Sequence, residues 1–276
     1  MIGPRRATSG PAAEQTTLDT ISLDDIACQL GTDKSTRRSL APTDDGYAAR
    51  PGQGHGYTIY YEHYLRPLRF EPLRLLEIGV LDGKSLLMWK KYFPHAMLYG
   101  LDIDPSCSRF EDDRTKIFVG NQADRSVLAH IGEQVPGGFD VIIDDGSHYV
   151  RHVIASFNGL FKHLKPGGIY VIEDLHVAAW TSWGRVSFNR GMDLEQAAQG
   201  NDPEEMTRFL ASVRGRGDVI DFAVHLKKIC FVRKASRTGA EDRCRWERGD
   251  RLEDLFPPEP KRSLLQKIAV RLLGPF

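Results

Sequence analysis

The chain has 276 residues, and its 37 lysines plus arginines balance its 37 aspartates plus glutamates. This balance gives no overall electrostatic attraction to nucleic acid or to an anionic membrane, so we expect neither as a partner. Four scattered cysteines without a CxxC pair argue against a zinc knuckle and a disulfide framework. No stretch reaches the roughly 18 apolar residues of a membrane span. These features predict a reduced, cytoplasmic setting.

The N-terminal quarter predicts an arm followed by a helical segment. Residues 1–21 are rich in small and polar residues and lack the apolar run of a secretory signal, which predicts a flexible arm. Residues 22–66 are predicted to form a helical, lid-like segment. It contains a short helix capped by Ser22 and a second helix over residues 57–65. The loop between them, residues 39–56, has the length and the Gly, Pro and Asp content of a binding loop.

A regular alternation of strands and helices follows, and residues 67–234 are predicted to form one domain. The predicted strands cover residues 73–78, 96–103, 116–119, 139–143 and 169–172. The predicted helices between them cover residues 84–93, 124–134 and 150–164. Because the strands are apolar on both faces, the fold class is α/β, with a doubly wound, mostly parallel, Rossmann-like sheet and helices on both faces.

The alternation stops near the end of the fifth strand. Residues 176–218 are predicted to be an insertion within the domain, with a helix that begins near Asp202. Residues 219–234 predict two more strands. Residues 235–276 form a C-terminal extension, in which the apolar positions of residues 263–273 share one helical face. We expect this face to make a homo-oligomer, most simply a dimer, in preference to packing on its own domain or lying on a membrane.

The first two strands end in a pattern that suits a nucleotide. Glu77 ends the first strand, Gly79 and Gly83 follow it, and Asp102 ends the second strand. Glycines let the backbone approach a ligand closely, and an acid at the second strand tip suits two ribose hydroxyls. The full G-x-G-x-x-G pattern is missing, so these residues alone leave open a nicotinamide site and an ordinary strand-to-helix turn.

Acidic residues end the fourth and fifth predicted strands. Asp144 and Asp145 close the run VIIDD, and Glu173 and Asp174 close VIED. The carboxyl ends of neighbouring parallel strands meet at one edge of a sheet, so these four carboxylates are expected to converge. Clustered carboxylates repel one another, and Mg²⁺, or Mn²⁺ in its place, is the type of ion that oxygen ligands select. His148 lies just beyond Asp145 and can exchange a proton near neutral pH.

Three stretches carry a resemblance to a known family: GTDK…GHGYTIYYEHYL, LLEIGVLDGKSLLMWKKYFPHAMLYGLDI and VIIDDGSH…LKPGGIYVIEDLH. They resemble the class I S-adenosylmethionine-dependent methyltransferases. More narrowly, they resemble the metal-dependent sugar O-methyltransferases of actinobacterial natural-product and polysaccharide pathways, the family of the macrolide (mycinamicin) 2''-O-methyltransferases. The resemblance covers roughly residues 28–234. It is weakest in residues 36–54, 177–218 and 235–276, which are therefore expected to carry the acceptor.

The resemblance implies roles for the matching residues. Those implied for cofactor binding are Glu77 and Gly79 at the methionine part, Asp102 at the ribose, Gln122 near the adenine, Tyr57 and Thr58 closing over the cofactor, and also Ser85 and Asp144. Those implied as metal ligands are Asp145, Glu173 and Asp174. His148 is implied as the general base.

The implied reaction is methyl transfer from S-adenosylmethionine to a sugar hydroxyl, with Mg²⁺ chelating the acceptor oxygens and His148 removing the proton. The expected partner is a sugar or glycoside, either a macrolide-linked deoxysugar or a methylated mannose oligosaccharide. Trp180 and Trp183 suit stacking on a sugar face and suit core packing equally well. Two alternatives stay open: a nicotinamide-dependent oxidoreductase on the same fold, and a non-catalytic methyltransferase-like module.

Overall fold

A computed structural model describes residues 21–36, 54–176, 202–217, 219–226 and 228–236. All of them lie within the first of two units, Met1–Thr238, and the second unit, Gly239–Phe276, lies outside them. The helices of the described residues are α1 (Leu23–Leu30), α2 (Tyr57–Leu65), α3 (Lys84–Tyr92), α4 (Arg125–Gln134), α5 (Val150–Leu160) and α6 (Pro203–Arg214). The strands are β1 (Arg74–Ile78), β2 (Met97–Asp102), β3 (Thr115–Val119), β4 (Phe139–Asp144), β5 (Leu164–Ile172), β6 (Ile220–Leu226) and β7 (Ile229–Lys234).

The strands form one sheet in the order β3-β2-β1-β4-β5-β7-β6. The first five strands in this order pair in parallel with one another, and β7 pairs antiparallel with both β5 and β6. The chain therefore builds outward from β1 to β3 and then returns to β4 on the other side of β1. This reversal leaves a crevice outside the carboxyl ends of β1 and β4, which is where open α/β sheets bind ligands. The predicted mostly parallel, doubly wound sheet is confirmed.

Apolar side chains that alternate along the strands cover both faces of the sheet. One face packs α4, α5 and α6 and includes Leu76, Ile142 and Tyr170. The other face packs α1, α2 and α3 and includes Leu75 and Val141. Successive residues of a strand point to opposite faces, so these two layers arise directly from the continuous apolar runs in the sequence.

The helix boundaries follow local capping signals in three places. Ser22, Asp124 and Asp202 each precede a helix, and each side chain accepts a backbone N–H from the first helical turn. The sequence prediction was wrong at the end of α5. We expected the helix to continue to Leu164 and the strand to begin at Ile169, but α5 ends at Leu160 and β5 begins at Leu164. Leu164 pairs with Phe139 of β4 and Ile169 pairs with Val141, so the Pro-Gly-Gly stretch between them forms an irregularity inside the strand.

The N-terminal helices are fastened to each other and to the sheet. The Asp24 carboxylate accepts hydrogen bonds from the Thr36 amide at 2.7 Å and from the Thr58 hydroxyl at 2.6 Å. The Glu62 carboxylate accepts from the Leu23 amide at 2.9 Å. These contacts hold the turn at residues 31–36 over the carboxyl ends of the central strands, where Lys34 becomes part of the site.

Several predictions fall on residues that the structure does not describe. These are the arm up to residue 20, most of the loop 39–56, Trp180 and Trp183, and the helix at residues 263–273. The domain boundaries and the oligomer therefore stay predictions. Among the helices of the described residues, none combines the length and the apolar character that crossing a membrane requires.

Candidate active site

A cavity of about 240 Å³ opens at the carboxyl ends of the parallel strands. Its wall combines the loop after β1, the end of β2, the loop after β3 and the turn after β4, together with the turn at residues 31–34. Of the residues predicted from sequence, those that line the cavity are Gly79, Ser85, Asp102, Gln122, Asp145, His148 and Asp174. Sequence reasoning therefore found much of this wall, although it assigned no role to residues 31–34.

The loop after β1 requires glycine at its first position. Gly79 has a φ angle of 88°, and a Cβ added there would lie 2.2 Å from the Asp145 carbonyl oxygen. Leu81, two residues later, is a non-glycine residue with a φ of 50°. Glycine thus lets the β1 loop touch the turn after β4, and this close approach brings the two halves of the cavity together.

The Asp102 carboxylate organises the same loop. Its Oδ2 accepts the amides of Val80 at 2.8 Å and Leu81 at 3.0 Å, and its Oδ1 accepts the Asp104 amide at 2.9 Å. These bonds fix the carboxylate at the cavity wall beside the β1 loop. That is the arrangement expected of an acid that meets a ribose in this type of fold.

Glu77 is fully buried behind this wall. Its carboxylate accepts hydrogen bonds from the Ser85 hydroxyl at 2.8 Å and the Trp89 indole at 3.2 Å. Burial raises the pKa of Glu77 to about 7, although the nearby Lys34 ammonium opposes the shift. The structure therefore brings together Glu77, Gly79 and Ser85, as their implied shared role requires.

Gln122 and Asp144 form a small network under the turn after β4. Gln122 donates from Nε2 to Asp144 at 3.1 Å and accepts the Ser147 amide at 2.7 Å. Asp144 also accepts from the Ser156 hydroxyl and is only 1% exposed. The Asp144 carboxylate therefore lies behind the cavity wall, where it supports Gln122 and the DDGSH turn.

Tyr57 and Thr58 also make contacts away from the cavity wall. The Tyr57 hydroxyl donates to Asp174, and the Thr58 hydroxyl donates to Asp24. Each is 1% exposed. The geometry therefore places both residues in the support of α2 and of the strand ends, and their implied contact with the cofactor stays a prediction.

Asp145, His148 and Asp174 converge on one point of the cavity. Each offers a ligand atom, and these three atoms all lie within 4.8 Å of one another. His148 and Asp174 have φ angles of 59° and 52°, in the left-handed region that non-glycine residues rarely occupy. Strained backbone of this kind tends to cluster at functional sites, so the local geometry marks both residues independently of the sequence motifs.

Imidazoles surround the Asp174 carboxylate. His55 Nδ1, His148 Nε2 and His176 Nδ1 lie 3.5, 3.7 and 3.9 Å from its oxygens. Burial works against ionisation, but His148, His55 and the Tyr57 hydrogen bond together lower the pKa of Asp174 to about 2. Asp174 is thus held as a carboxylate. His55, two residues before Tyr57 in the GHGYT stretch, carries no role predicted from the sequence.

Glu173 is not one of the three residues whose ligand atoms meet in the Asp145–His148–Asp174 group, but it shares Lys34 with Asp145. Its carboxylate lies 2.9 Å from the Lys34 ammonium and accepts the Tyr61 hydroxyl. Lys34 also contacts Asp145, and its side chain is 1% exposed. Burial disfavours its charged form, but Asp145, Glu173 and Glu77 together raise the pKa of Lys34 well above its usual value. Lys34 and Tyr61 were both within the stretches that carry the family resemblance, but no role was assigned to either.

The donor chemistry of this group fits a divalent cation. Asp145 and Asp174 offer carboxylate oxygens, His148 offers an imidazole nitrogen, and the Glu173 carboxylate is adjacent through Lys34. Carboxylate oxygens are the ligands that Mg²⁺ and Mn²⁺ prefer, so the two aspartates carry this assignment and His148 need not be a ligand. These residues could hold such an ion in the cavity whose wall also includes Gly79 and Asp102.

Comparison with known proteins defines the class of the domain. Residues 76–175 match the family model described as "Methyltransferase domain". Together with the sheet topology, this match makes the region a Rossmann-like methyltransferase domain, as the resemblance implied.

Particular relatives are named as O-methyltransferases. The chain is 43% identical over 140 residues to demethylmacrocin O-methyltransferase from Streptomyces fradiae, covering 48% of this chain and 35% of that protein. It is 42% identical over 137 residues to mycinamicin VI 2''-O-methyltransferase from Micromonospora griseorubida, covering 47% and 34%. Among solved structures, MycE methyltransferase from the mycinamycin biosynthetic pathway, in complex with Mg, SAH and mycinamycin VI, superposes with a TM-score of 0.61 at 30% identity. That superposition covers 81% of this chain and 59% of MycE.

The chain spans only about a third of the length of these curated relatives. The methyltransferase match also falls on the part of the chain that carries the cavity, from β1 to the end of β5. The resemblance predicted from the sequence is therefore confirmed for the domain, while what the whole protein does is a proposal.

Proposed function

We propose that the protein is an S-adenosylmethionine-dependent O-methyltransferase that acts on a sugar hydroxyl of a glycoside and uses Mg²⁺, with Mn²⁺ as a substitute. The observation that carries this proposal is the convergence of Asp145, His148 and Asp174 beside a cavity whose wall includes Gly79 and Asp102. Hydride transfer to a nicotinamide does not by itself require such a group. A relative from Streptomyces olivaceus that is 38% identical over 149 residues supports a glycoside acceptor, because its name, 8-demethyl-8-alpha-L-rhamnosyl tetracenomycin-C 2'-O-methyltransferase, includes a rhamnosyl sugar.

In this proposal the β1 and β2 side of the cavity binds the cofactor. Gly79 lies at the methionine part, with Glu77 behind the wall holding Ser85, Asp102 accepts the ribose hydroxyls, and Gln122 lies toward the adenine. The cofactor supplies an electrophilic methyl group, and the transfer needs little more than an in-line approach by the acceptor oxygen. The protein contributes by fixing that approach, which explains why the β1 loop packs so tightly on the turn after β4.

The β4 and β5 side activates the acceptor. Asp145, Glu173 and Asp174 would hold a divalent cation, which supplies Lewis-acid polarisation of a hydroxyl and orients its neighbour. His148 takes the hydroxyl proton as the new C–O bond forms and the C–S bond of the cofactor breaks. Asp174, 3.7 Å from His148 Nε2, favours the resulting imidazolium.

The acceptor that we favour is a deoxysugar attached to a polyketide, and a methylated mannose oligosaccharide is the second candidate. The acceptor-binding segments are proposed to be residues 36–54, 177–218 and 235–276. We also propose a cytoplasmic enzyme that forms a homo-oligomer, most simply a dimer, through residues 263–276.

One experiment tests the central proposal. The protein is incubated with S-adenosylmethionine, Mg²⁺ and a panel of glycosides, and the products are analysed by mass spectrometry for one added methyl group. We expect a methylated glycoside that requires the metal. Binding of S-adenosylmethionine without any product over the whole panel would favour the non-catalytic module, and reduction of NAD by a glycoside would favour the oxidoreductase.

A further inference from the structure

The Lys34 ammonium occupies a position that the proposed reaction does not explain. Lys34 does not belong to the sheet but to the turn after α1, and its side chain is 1% exposed. Its Nζ contacts Asp145, lies 2.9 Å from Glu173 and lies 4.0 Å from Glu77. It therefore meets the ends of β4, β5 and β1 at once.

The backbone around Lys34 is fixed as firmly as the side chain. The Thr58 amide donates to the Lys34 carbonyl at 3.1 Å, and the Thr32 hydroxyl accepts the Lys34 amide at 3.1 Å. Asp24 binds Thr36 on the other side of the turn. The positive charge is thus delivered by a rigid element to the carboxylates that are proposed to hold the metal.

The charges of this group sum to a simple value. In their ionised forms the three proposed ligands Asp145, Glu173 and Asp174 carry three negative charges, and the Lys34 ammonium carries one positive charge, which leaves a formal charge of minus two. Glu77, whose carboxylate is 4.0 Å from the ammonium, is not among the proposed ligands and is not counted. A divalent cation neutralises that charge completely. Without the lysine the same carboxylates would present three negative charges, which favours ions of higher charge.

We propose that Lys34 is a positioning residue that sets the net charge of the metal site and thereby matches it to a divalent cation. This inference rests on the metal site of the proposed function. A purely structural role would be different: it would orient Glu173, as the neutral Tyr61 hydroxyl also does, without changing which ionic charge the site prefers.

The test compares two probe ions on the full chain. Mn²⁺ affinity is measured by titration calorimetry, and Tb³⁺ affinity is measured by luminescence with Mn²⁺ as competitor. In Lys34→Met we expect Mn²⁺ to bind about tenfold more tightly than in the wild type. The Coulomb energy scales with the product of charges, so the gain for Tb³⁺ should be about thirtyfold, and the preference for Tb³⁺ over Mn²⁺ should rise about threefold.

Two control variants separate charge from structure. Lys90→Met removes a lysine that pairs with Asp112 away from the cavity, and it should leave both affinities unchanged. Tyr61→Phe removes a hydrogen bond to Glu173 without removing charge, and it should leave the Tb³⁺ to Mn²⁺ preference unchanged. An unchanged or smaller preference in Lys34→Met would overturn the proposal.

A second pair of variants covers the case in which Lys34→Met does not fold. Glu173→Gln and the double variant Lys34→Met/Glu173→Gln differ only in the lysine, and the double variant leaves no unpaired charge from this ion pair. The double variant should prefer Tb³⁺ about threefold more than Glu173→Gln does. Equal preferences in the two would overturn the proposal.

The outcomes of these titrations distinguish a failure of this inference from a failure of the proposed function. If the wild type binds Mn²⁺ but the lysine variants show no change in preference, only the role of Lys34 is refuted. If the wild type binds neither ion, the metal site is refuted and this inference with it. If the preference shifts as expected but no glycoside is methylated, the role of Lys34 is supported and the proposed reaction is refuted.

Discussion

On the β1 and β2 side of the cavity, the polar contacts come from residues close in sequence, whereas on the β4 and β5 side they come from distant ones. Asp102 accepts amides that are 22 and 21 residues away, and Glu77 accepts the Ser85 hydroxyl only 8 residues away. Glu173, in contrast, is bound by Lys34 and Tyr61, which precede it by 139 and 112 residues.

The difference reflects what each side must do. A nucleotide-containing cofactor can be met by backbone amides, glycines and one acid, which a single strand-loop-helix unit supplies. Buried carboxylates repel one another and need partners of opposite charge or hydrogen-bond donors, which the acidic strand ends themselves do not supply. The N-terminal segment provides those partners through Lys34, Tyr57 and Tyr61.

The largest expected effect comes from removing the metal, or the Asp145 carboxylate proposed to bind it, on the β4 and β5 side of the cavity. Excess EDTA should reduce methyl transfer by about a thousandfold or more, and Mg²⁺ should restore it, because the cation contributes several kcal/mol to the transition state. Asp145→Asn should lose activity to a similar extent but keep cofactor binding. Product formation and S-adenosylmethionine affinity are measured in parallel, with Asp112→Asn as a surface control. Full turnover in EDTA would show that the acids have another role.

The next effect concerns the base. His148→Ala should lower kcat by about a hundredfold to a thousandfold, because a positioned imidazole no longer takes the proton. S-adenosylmethionine affinity should be nearly unchanged, since the His148 imidazole lies 3.7 Å from Asp174, on the proposed acceptor side of the cavity. His225→Ala, on the outer strand β6, is the matched control.

A near-normal kcat in His148→Ala at saturating acceptor would assign proton removal to another group. His176 is then the next candidate, because its Nδ1 is 3.9 Å from the same carboxylate. The double variant His148→Ala/His176→Ala would distinguish replacement by His176 from a reaction that needs no base.

The contrast between the two sides also explains what the sequence could predict. The helices after Ser22, Asp124 and Asp202 were predicted well because one side chain caps the adjacent backbone. The convergence of Asp145 and Asp174 was predictable because the carboxyl ends of neighbouring strands meet.

The contacts of Lys34 and Tyr61 were not predictable in the same way. A lysine in a turn and a tyrosine in a helix carry no local signal of a buried carboxylate partner, and the partner is chosen only when α1 and α2 pack on the sheet. For the same reason the contacts of Glu173 with Lys34 and Tyr61 could not be predicted, and its role as a metal ligand, which the family resemblance implies, stays a prediction.

A third prediction uses the buried carboxyl on the cofactor side. Burial gives Glu77 a pKa of about 7 in the folded protein, against 4.5 for a solvent-exposed glutamate, so the folded state binds its proton more tightly. Its contribution to stability is present below pH 4.5 and is lost as the pH rises through about 7. One pKa unit corresponds to about 1.4 kcal/mol, so the loss is about 3 kcal/mol over this window.

Glu77→Gln should remove that loss. Between pH 4.5 and 7 the free energy of unfolding should therefore fall less steeply in the variant than in the wild type. The groups facing Glu77 are Lys34, Asp145, Ser85 and Trp89, and all of them remain in the variant. Urea denaturation at several pH values measures the difference, and Asp112→Asn, at a carboxyl whose pKa is lowered, serves as a contrast. Parallel pH curves for Glu77→Gln and the wild type would contradict the assignment.

The smallest expected effect tests the contact between the two sides directly. Gly79→Ala places a methyl group 2.2 Å from the Asp145 carbonyl oxygen and also strains a φ of 88°, whereas Gly56→Ala strains a φ of 73° with no atom within 4 Å of the new Cβ. The difference between the two variants therefore isolates the close approach of the β1 loop to the turn after β4. We expect Gly79→Ala to destabilise the protein by about 2 kcal/mol more than Gly56→Ala, since overpacking adds to the backbone strain. Urea denaturation gives both values. Equal destabilisation by the two substitutions would mean that the turn after β4 yields freely, and that the two sides of the cavity are not held together at this point.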